Sequence, residues 1–300
     1  MRLVKSGKVK DIYEVNAQEL EFVFSDRISV FDKIIPSTIP NKGETLARTS
    51  AYWFKVSEEL GIATHFLGLT AGNRMRVKRV QVIYDYAQIT PTTTNYLIPL
   101  ECIARYYAYG SLWDRIEQNQ ITPERIGFPQ NHVIALGDPL PQPFFEATTK
   151  LEKVDRPLTI EEALSISSVS PSEFNELKAI ALRIDAAITE NITPRGLIHV
   201  DGKKEFAYDD SRNLMVVDTF GTADEDRFWD ARAYQQGTFL ERSKEFVRQY
   251  YRKTGYHAQL LKARNSGQEE PPIPPLPNEV INQVSEIYIQ LFEDLTGESF

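Results

Sequence analysis

A single cysteine, Cys102, is all the chain contains. No internal disulfide can form, so stability must come from packing. Set in an apolar run, the thiol reads as a small buried side chain. Long hydrophobic runs are absent too: none approaches the ~18 residues of a membrane span. Met1-Arg-Leu-Val-Lys5 leads straight into a strand pattern without a signal peptide. The expected location is the cytoplasm, with no membrane partner. Positive charge is in deficit, with 34 Lys and Arg against 42 Asp and Glu and a net charge of −8. That argues against nonspecific nucleic-acid binding. Histidine is scarce: His65, His132, His199 and His257 lie far apart without ligand spacing, and none is assigned to a metal. No G-x-x-x-x-G-K-[ST] occurs, which excludes a Walker A loop. What remains is an ordinary globular composition, long enough for two domains or one large one.

The first hundred residues alternate like strands. Lys8 to Val15, Leu20 to Ser25, Arg76 to Ile83 and Tyr96 to Tyr107 are strand candidates. One helix interrupts them, Glu44 to Leu60, stopped by Gly61. Further on, Ser170-Pro-Ser-Glu173 is a capping box with proline at the first helical position. It opens a helix with Phe174, Leu177, Ala181, Ile184 and Ile188 at helical spacing. Ser266 to Pro277 is too rich in proline for helix or sheet. A last helix starts near Asn278 and ends before Gly297.

The densest information lies in Leu197 to Asp218. Two apolar, β-branched or aromatic flanks surround Asp209-Asp-Ser-Arg-Asn213, the pattern of a hairpin. With a loop at Asp210 to Asn213, Asp209 pairs with Leu214, Phe206 with Val217 and Glu205 with Asp218. Alternation then puts Asp201, Lys203, Glu205 and Asp218 on one face and Phe206, Tyr208, Met215 and Val217 on the other. Opposed carboxylates repel at about 5 Å. Either a divalent cation such as Mg²⁺ sits between them, or the face is solvated with its own salt bridge to Lys203.

Other segments carry weaker signals. Gly7 lets the backbone approach a ligand, and Lys8 and Lys10 on one strand face suit a polyphosphate. Phe24 to Asp32 packs Asp26, Arg27, Ser29 and Asp32 into a strand exit, with an Asx-turn and surface ion pair as the plain alternative. Ile39-Pro-Asn-Lys42-Gly43 reads as a mobile loop. Glu101 to Ser111 brings Arg105 and the Gly110-Ser111 turn together, which suits a phosphate monoester. Asp224-Glu-Asp-Arg227 is a second acid–arginine cluster, and Thr148-Thr149-Lys150 adds hydroxyls and a cation.

In this order the segments resemble the SAICAR synthetase (phosphoribosylaminoimidazole-succinocarboxamide synthase) family. The motifs are GKVKDIY at 7–13, SDRISVFD at 25–32, IPNKG at 39–43, PLECIARYYAYGS at 99–111, TTKLE at 148–152, DGKKEF at 201–206 and VDTFGTADEDRFW at 217–229. The resemblance implies an α+β fold: a β-rich, kinase-like N-terminal lobe over residues 1–100, a larger α+β domain over 101–300, and ATP in the cleft between. It implies ligation of L-aspartate to the carboxylate of CAIR (carboxyaminoimidazole ribonucleotide) in purine biosynthesis, with ADP and phosphate released. Gly7, Lys8, Lys10 and Glu101 would then serve ATP, and Glu205 and Asp218 would ligate Mg²⁺. Arg105, Ser111 and Arg227 would hold the CAIR phosphate. Lys203 and Asp224 would contact the rest of CAIR, and Thr149 and Lys150 would line the CAIR and aspartate side. Lys203, Glu205 and Asp218 would carry the chemistry. Small molecules are the expected partners, and the oligomeric state stays open, a homo-oligomer included. The chain departs from the family where D-E becomes Asp218-Thr219, where T-P-D-S-S-R becomes Thr222-Ala-Asp224-Glu225-Asp226-Arg227, where R-G-Y-[LI]-T-G-S becomes Arg105-Tyr106-Tyr-Ala-Tyr109-Gly-Ser111, and where T-P-S-T-K begins with Glu146. Carboxylates beside a phosphate site must point away or pair locally. A paralogous ligase for another nucleotide carboxylate, or an inactive nucleotide-binding protein, are the alternatives.

Overall fold

The computed structural model describes residues 1–152 and 154–300. Strands β1 (Arg2–Ser6), β2 (Lys10–Glu14) and β3 (Glu19–Phe24) form a meander. A short hairpin follows, β4 (Arg27–Val30) and β5 (Lys33–Thr38), turning on Phe31 and Asp32, both with positive φ. Helix α1 (Lys42–Glu59) comes next, then β6 (Phe66–Ala71) and β7 (Arg74–Lys78). The first sheet runs β1-β2-β3-β7-β6, all antiparallel.

The second sheet begins with β8 (Tyr96–Tyr107). After α2 (Ser111–Glu117) come β9 (Pro139–Thr149), α3 (Ile160–Ser167) and α4 (Pro171–Ile192). Then follow β10 (Leu197–Tyr208), β11 (Leu214–Val217) and β12 (Arg227–Asp230). The order is β11-β10-β8-β9, with β12 on the far half of β10. The chain closes with α5 (Ala231–Gln235), α6 (Glu245–Lys253), α7 (Tyr256–Ser266) and α8 (Asn278–Thr296). Antiparallel sheets with segregated helices make an α+β fold.

The local chemistry explains most boundaries. Ser170 accepts from the Glu173 amide while Glu173 reaches back to the Ser170 amide, the reciprocal capping box. Phe174, Leu177, Ala181, Ile184 and Ile188 are buried at helical spacing. Gly61 and Gly297 stop α1 and α8 with left-handed φ. One core cluster joins both sheets, running from Phe22 and Phe24 through Trp53 and Phe54 to Phe206, Phe220 and Tyr288. Backbone ties cross between the halves where Val216 donates to Ala63 and accepts from His65. These ties seat the end of β11 beside the first sheet.

Three expectations are corrected. The hairpin register is shifted by one residue: Glu205 faces Val217, Phe206 faces Val216 and Tyr208 faces Leu214. Asp209 wraps into the turn, its carboxylate accepting from the Ser211 and Asn213 amides, so the loop gains a residue. Consequently Met215 and Val217 pack with Ala207 and Leu97, while Phe206 and Tyr208 join the main core. Lys8 lies in the turn between β1 and β2 and is not on a strand, so alternation does not align it with Lys10. Lys42 and Gly43 are no mobile loop: they open α1 and are buried. A Cβ on Gly43 would stand 2.8 Å from the Phe24 carbonyl oxygen, and its amide donates to Asp26 at 3.0 Å.

Candidate active site

The site is built from strand neighbours. On β10, Lys203 and Glu205 share one face. Glu101 on β8 is the register partner of Glu205. Lys150, just past β9, pairs with Glu205 and lies 3.8 Å from Glu101. The Lys203 ammonium contacts Glu101 at 2.9 Å, Glu205 at 3.1 Å and Glu225 at 3.0 Å. Lys10, the first residue of β2, pairs with Asp218 across the two sheets.

With the observed register, a continued strand would carry Asp218 to the face opposite Glu205. Asp218 instead takes φ 65°, a left-handed conformation that ends β11. The kink turns its carboxylate to Lys10 and into the field of Lys150 and Lys203. The two acids singled out by sequence therefore share the field of Lys150 and Lys203 by a bend rather than by direct pairing.

Electrostatics follow from burial and count. Glu101, Glu205, Asp218 and Glu225 face Lys10, Lys150 and Lys203. Burial, reinforced by Glu205, pushes the Glu101 carboxyl up to about 7 against the pull of Lys203. Burial would also raise Asp218, but Lys10, Lys150 and Lys203 outweigh it and hold it below the usual carboxylate range. For Lys203 burial favours the neutral form, yet Glu225, Glu205 and Glu101 hold the ammonium well above its ordinary value.

A divalent cation fits this donor set. Carboxylate oxygens suit hard cations such as Mg²⁺, and the acids outnumber the ammonium groups by one. Among the described residues, Glu205 Oε2 is buried with no aligned hydrogen-bond donor, only the Lys150 ion pair. A second acidic group, Asp185, His199 and Asp226, is fully buried. There the Lys204 ammonium already contacts both aspartates and supplies the positive charge.

The arginine turn forms a neighbouring group. Arg105 donates to Ser111 at 3.1 Å and pairs with Glu146 at 2.8 Å. Arg115 pairs with the same Glu146 at 2.8 Å. Arg227 pairs with Asp201 and, at 3.3 Å, with Glu245. Gly110 has φ 58°, and a Cβ there would stand 2.8 Å from Arg227 Nη2, so the turn rests directly on that guanidinium. The carboxylates beside this group pair locally. Glu146 is shared by two arginines, Glu225 is on Lys203, and Asp226 accepts from His199 at 2.8 Å and from the Gly221 amide at 3.0 Å.

Not all expected residues converge. Lys8 is half-exposed and bonded to Asp32 at 2.6 Å, apart from the Lys10 pair. Gly7 shapes the turn, its amide donating to the Lys10 carbonyl at 2.8 Å. Thr149 is buried and accepts from the Arg156 amide. Asp224 is buried and held by Lys42 at 2.9 Å, Tyr288 at 2.6 Å and Lys244 at 3.5 Å. Sequence reasoning missed Lys42, Lys244 and Tyr288. Their shared partner, Asp224, lies 182 residues from Lys42 and 64 from Tyr288, and the lysine of IPNKG reads from sequence as part of a mobile loop. It also missed Arg115 and Lys204, whose neighbours Ser111 and Lys203 had drawn notice.

A family model described as SAICAR synthetase matches residues 3–263. The chain is 48% identical over 301 residues to the phosphoribosylaminoimidazole-succinocarboxamide synthase of Thermoplasma acidophilum, covering 100% of both chains. It is 32% identical over 301 residues to the enzyme of that name from Nitrosopumilus maritimus, again covering 100% of both. Among solved structures, the fold is similar to SAICAR-synthase from Saccharomyces cerevisiae complexed with SAICAR, with TM-score 0.77, 24% identity and coverage of 100% of this chain and 96% of that one.

Proposed function

This chain belongs to the SAICAR synthetase family, and from that membership we propose that it ligates L-aspartate to the carboxylate of CAIR, giving SAICAR, ADP and phosphate. The observation that carries the reading to these residues is the interleaved set of three lysines and four carboxylates where β2, β8, β9, β10, the end of β11 and the β11–β12 loop meet.

The chemistry needs such a set. A carboxylate is a poor acyl donor, because its charge repels nucleophiles and its leaving group is oxide. Transfer of the γ-phosphoryl group of ATP to a carboxylate oxygen supplies a leaving group. The aspartate amine attacks the carbonyl carbon, the C–O bond to phosphate breaks, and the amine proton is lost. The protein's task is positioning and charge compensation. Lys10, with Lys8 and Gly7 in the adjoining turn, serves the ATP phosphates, and Lys10 exchanges Asp218 for phosphate oxygens. Glu101 lies on the ATP side. Glu205 and Asp218 are the residues that would hold Mg²⁺, which supplies positive charge to the transferring phosphoryl group. Lys203 orients the CAIR carboxylate, and Lys150 faces the entering amine together with the Thr149 segment. Arg105, Ser111 and Arg227 take the CAIR phosphate, with Glu146 and Asp201 as their partners in its absence. Asp224, buried against Lys42 and Tyr288, acts by fixing its loop.

The test is ADP release coupled to a reporter enzyme, with ATP, Mg²⁺, CAIR and L-aspartate present and each omitted in turn. Release that requires all four is the expected result. Release without CAIR, or equal rates with another imidazole nucleotide carboxylate, would overturn the CAIR assignment.

A further inference from the structure

The Lys203 ammonium has three hydrogens to donate, and three carboxylates surround it. Two come from paired strands: Glu101 on β8 and Glu205 on β10 are register partners, so the sheet fixes them. The third, Glu225, comes from the loop between β11 and β12. Its neighbours on both sides are buried and immobilised. Asp224 is held by Lys42, Tyr288 and Lys244. Asp226 is held by Lys204, His199 and the Gly221 amide. The loop closes on itself through the Glu225 and Asp226 amides, both donating to the Thr222 carbonyl. Between these two anchored aspartates, Glu225 keeps its carboxylate partly exposed and turned to Lys203. Thr219 Oγ1 lies 3.5 Å from Glu225 Oε1, so an acid side chain grown from position 219 would enter the same space.

We propose that Glu225 is a positioning residue for the ligation: it is the third leg of a carboxylate tripod that aims the Lys203 ammonium at the substrate carboxylate. The role belongs to the place of the charge and not to its position in the chain. This inference rests on the function proposed above, in which Lys203 meets the CAIR carboxylate. Two legs leave the ammonium free to swing about the Glu101–Glu205 line. The third fixes the direction in which it presents its charge. Glu225 touches no reacting atom in this account and acts through Lys203.

The experiment uses the full chain and four variants, Glu225→Ser, Glu225→Gln, Glu225→Asp and the double variant Thr219→Glu/Glu225→Ser. Two readouts are taken. The first is the labelling rate of Lys203 by an amine-reactive acetylating reagent at mildly alkaline pH, followed by peptide mass spectrometry, which needs no activity. The second is the KM for CAIR beside those for ATP and aspartate. In wild type, Lys203 labels slowly because three carboxylates hold and cover its ammonium. Glu225→Ser raises that rate and raises the CAIR KM about tenfold, the loss of one charge-assisted contact, with the ATP KM changed less than about twofold. Glu225→Asp recovers part of both, and the double variant restores both to within about threefold of wild type. Thermal melting of each variant checks folding, and the isosteric Glu225→Gln carries the test if the serine variant unfolds. Unchanged Lys203 labelling in both the serine and glutamine variants overturns the proposal. So does faster labelling with an unchanged CAIR KM, or failure of a folded double variant to restore labelling. If wild type itself does not ligate CAIR, the proposed function falls, and the labelling series still decides whether Glu225 holds Lys203.

Discussion

Replacing Glu101 with glutamine should reshape the pH dependence of stability. Burial and Glu205 raise this carboxyl from 4.5 to about 7 in the folded chain. Unfolded, it returns to its ordinary value. Between those limits the folded state binds the extra proton, so stability falls as pH rises. The contribution is fully present below about pH 4.5 and fully lost above about pH 7. At 1.36 kcal/mol per unit, the rise corresponds to about 3 kcal/mol. Other groups titrate nearby. Glu241, raised to about 7 by burial and Glu245, adds a slope of the same sign. His65, lowered to about 3 by burial, contributes the opposite slope. Both are present in wild type and variant, so they drop out of the difference. Urea unfolding without nucleotide or Mg²⁺, at steps from pH 4.5 to 7.5, should show Glu101→Gln gaining about 3 kcal/mol on wild type across the window. Parallel curves, with a difference constant within about 0.5 kcal/mol, would refute the burial argument for Glu101.

Lys204→Met should cost roughly 3–5 kcal/mol, because it leaves Asp185 and Asp226 buried without their cation; a chemical-denaturation midpoint close to wild type would contradict this. Asp218→Asn keeps a side chain that tolerates left-handed φ, so the fold should persist while Mg²⁺ affinity, read by titration calorimetry with ADP present, weakens; full affinity would make the Lys10–Asp218 pair purely structural. Lys10→Ala should raise the ATP KM about tenfold or more, and an unchanged value removes Lys10 from the phosphate grip. Arg105→Ala should raise the CAIR KM far more than the ATP or aspartate KM, since Arg105 and Ser111 form one group, while Glu146 keeps its Arg115 pair; equal effects on all three would refute the phosphate assignment.

What could be read from sequence was what local rules govern. The capping box at Ser170, the stop at Gly61, the apolar stripe of α4 and the strand from Tyr96 to Tyr107 all depend on neighbours within a few residues. The face shared by Lys203 and Glu205 needs only alternation. Register was not local in that sense. It hinged on whether Asp209 ended the strand or capped the turn, and its carboxylate chose the Ser211 and Asn213 amides. The nearness of Asp218 to that face was anticipated for the wrong reason, because a left-handed kink replaced the opposed pair. The buried lysines were least legible. Lys42 and Lys204 look like ordinary surface charge until Asp224, Asp185 and Asp226 arrive from 182, 19 and 22 residues away.

Helix α8 lies beyond the residues the family model matches, yet its Tyr288 hydroxyl bonds Asp224 across 64 residues of chain, and its Ser285 hydroxyl caps the Pro40 carbonyl just before Lys42. During synthesis the chain emerges from its N-terminus, so α8 appears after Lys42 and Asp224. Lys42 and Asp224 must therefore wait, a charged pair without its roof, until α8 emerges to cover them. Covering of the Asp224 loop is thereby tied to translation of α8. A nascent chain stalled before Asn278 would carry the residues of both sheets and of the motifs but would lack the Tyr288 bond to Asp224. Such a chain would offer proteases the uncovered loop around Asp224 as a marker of unfinished synthesis.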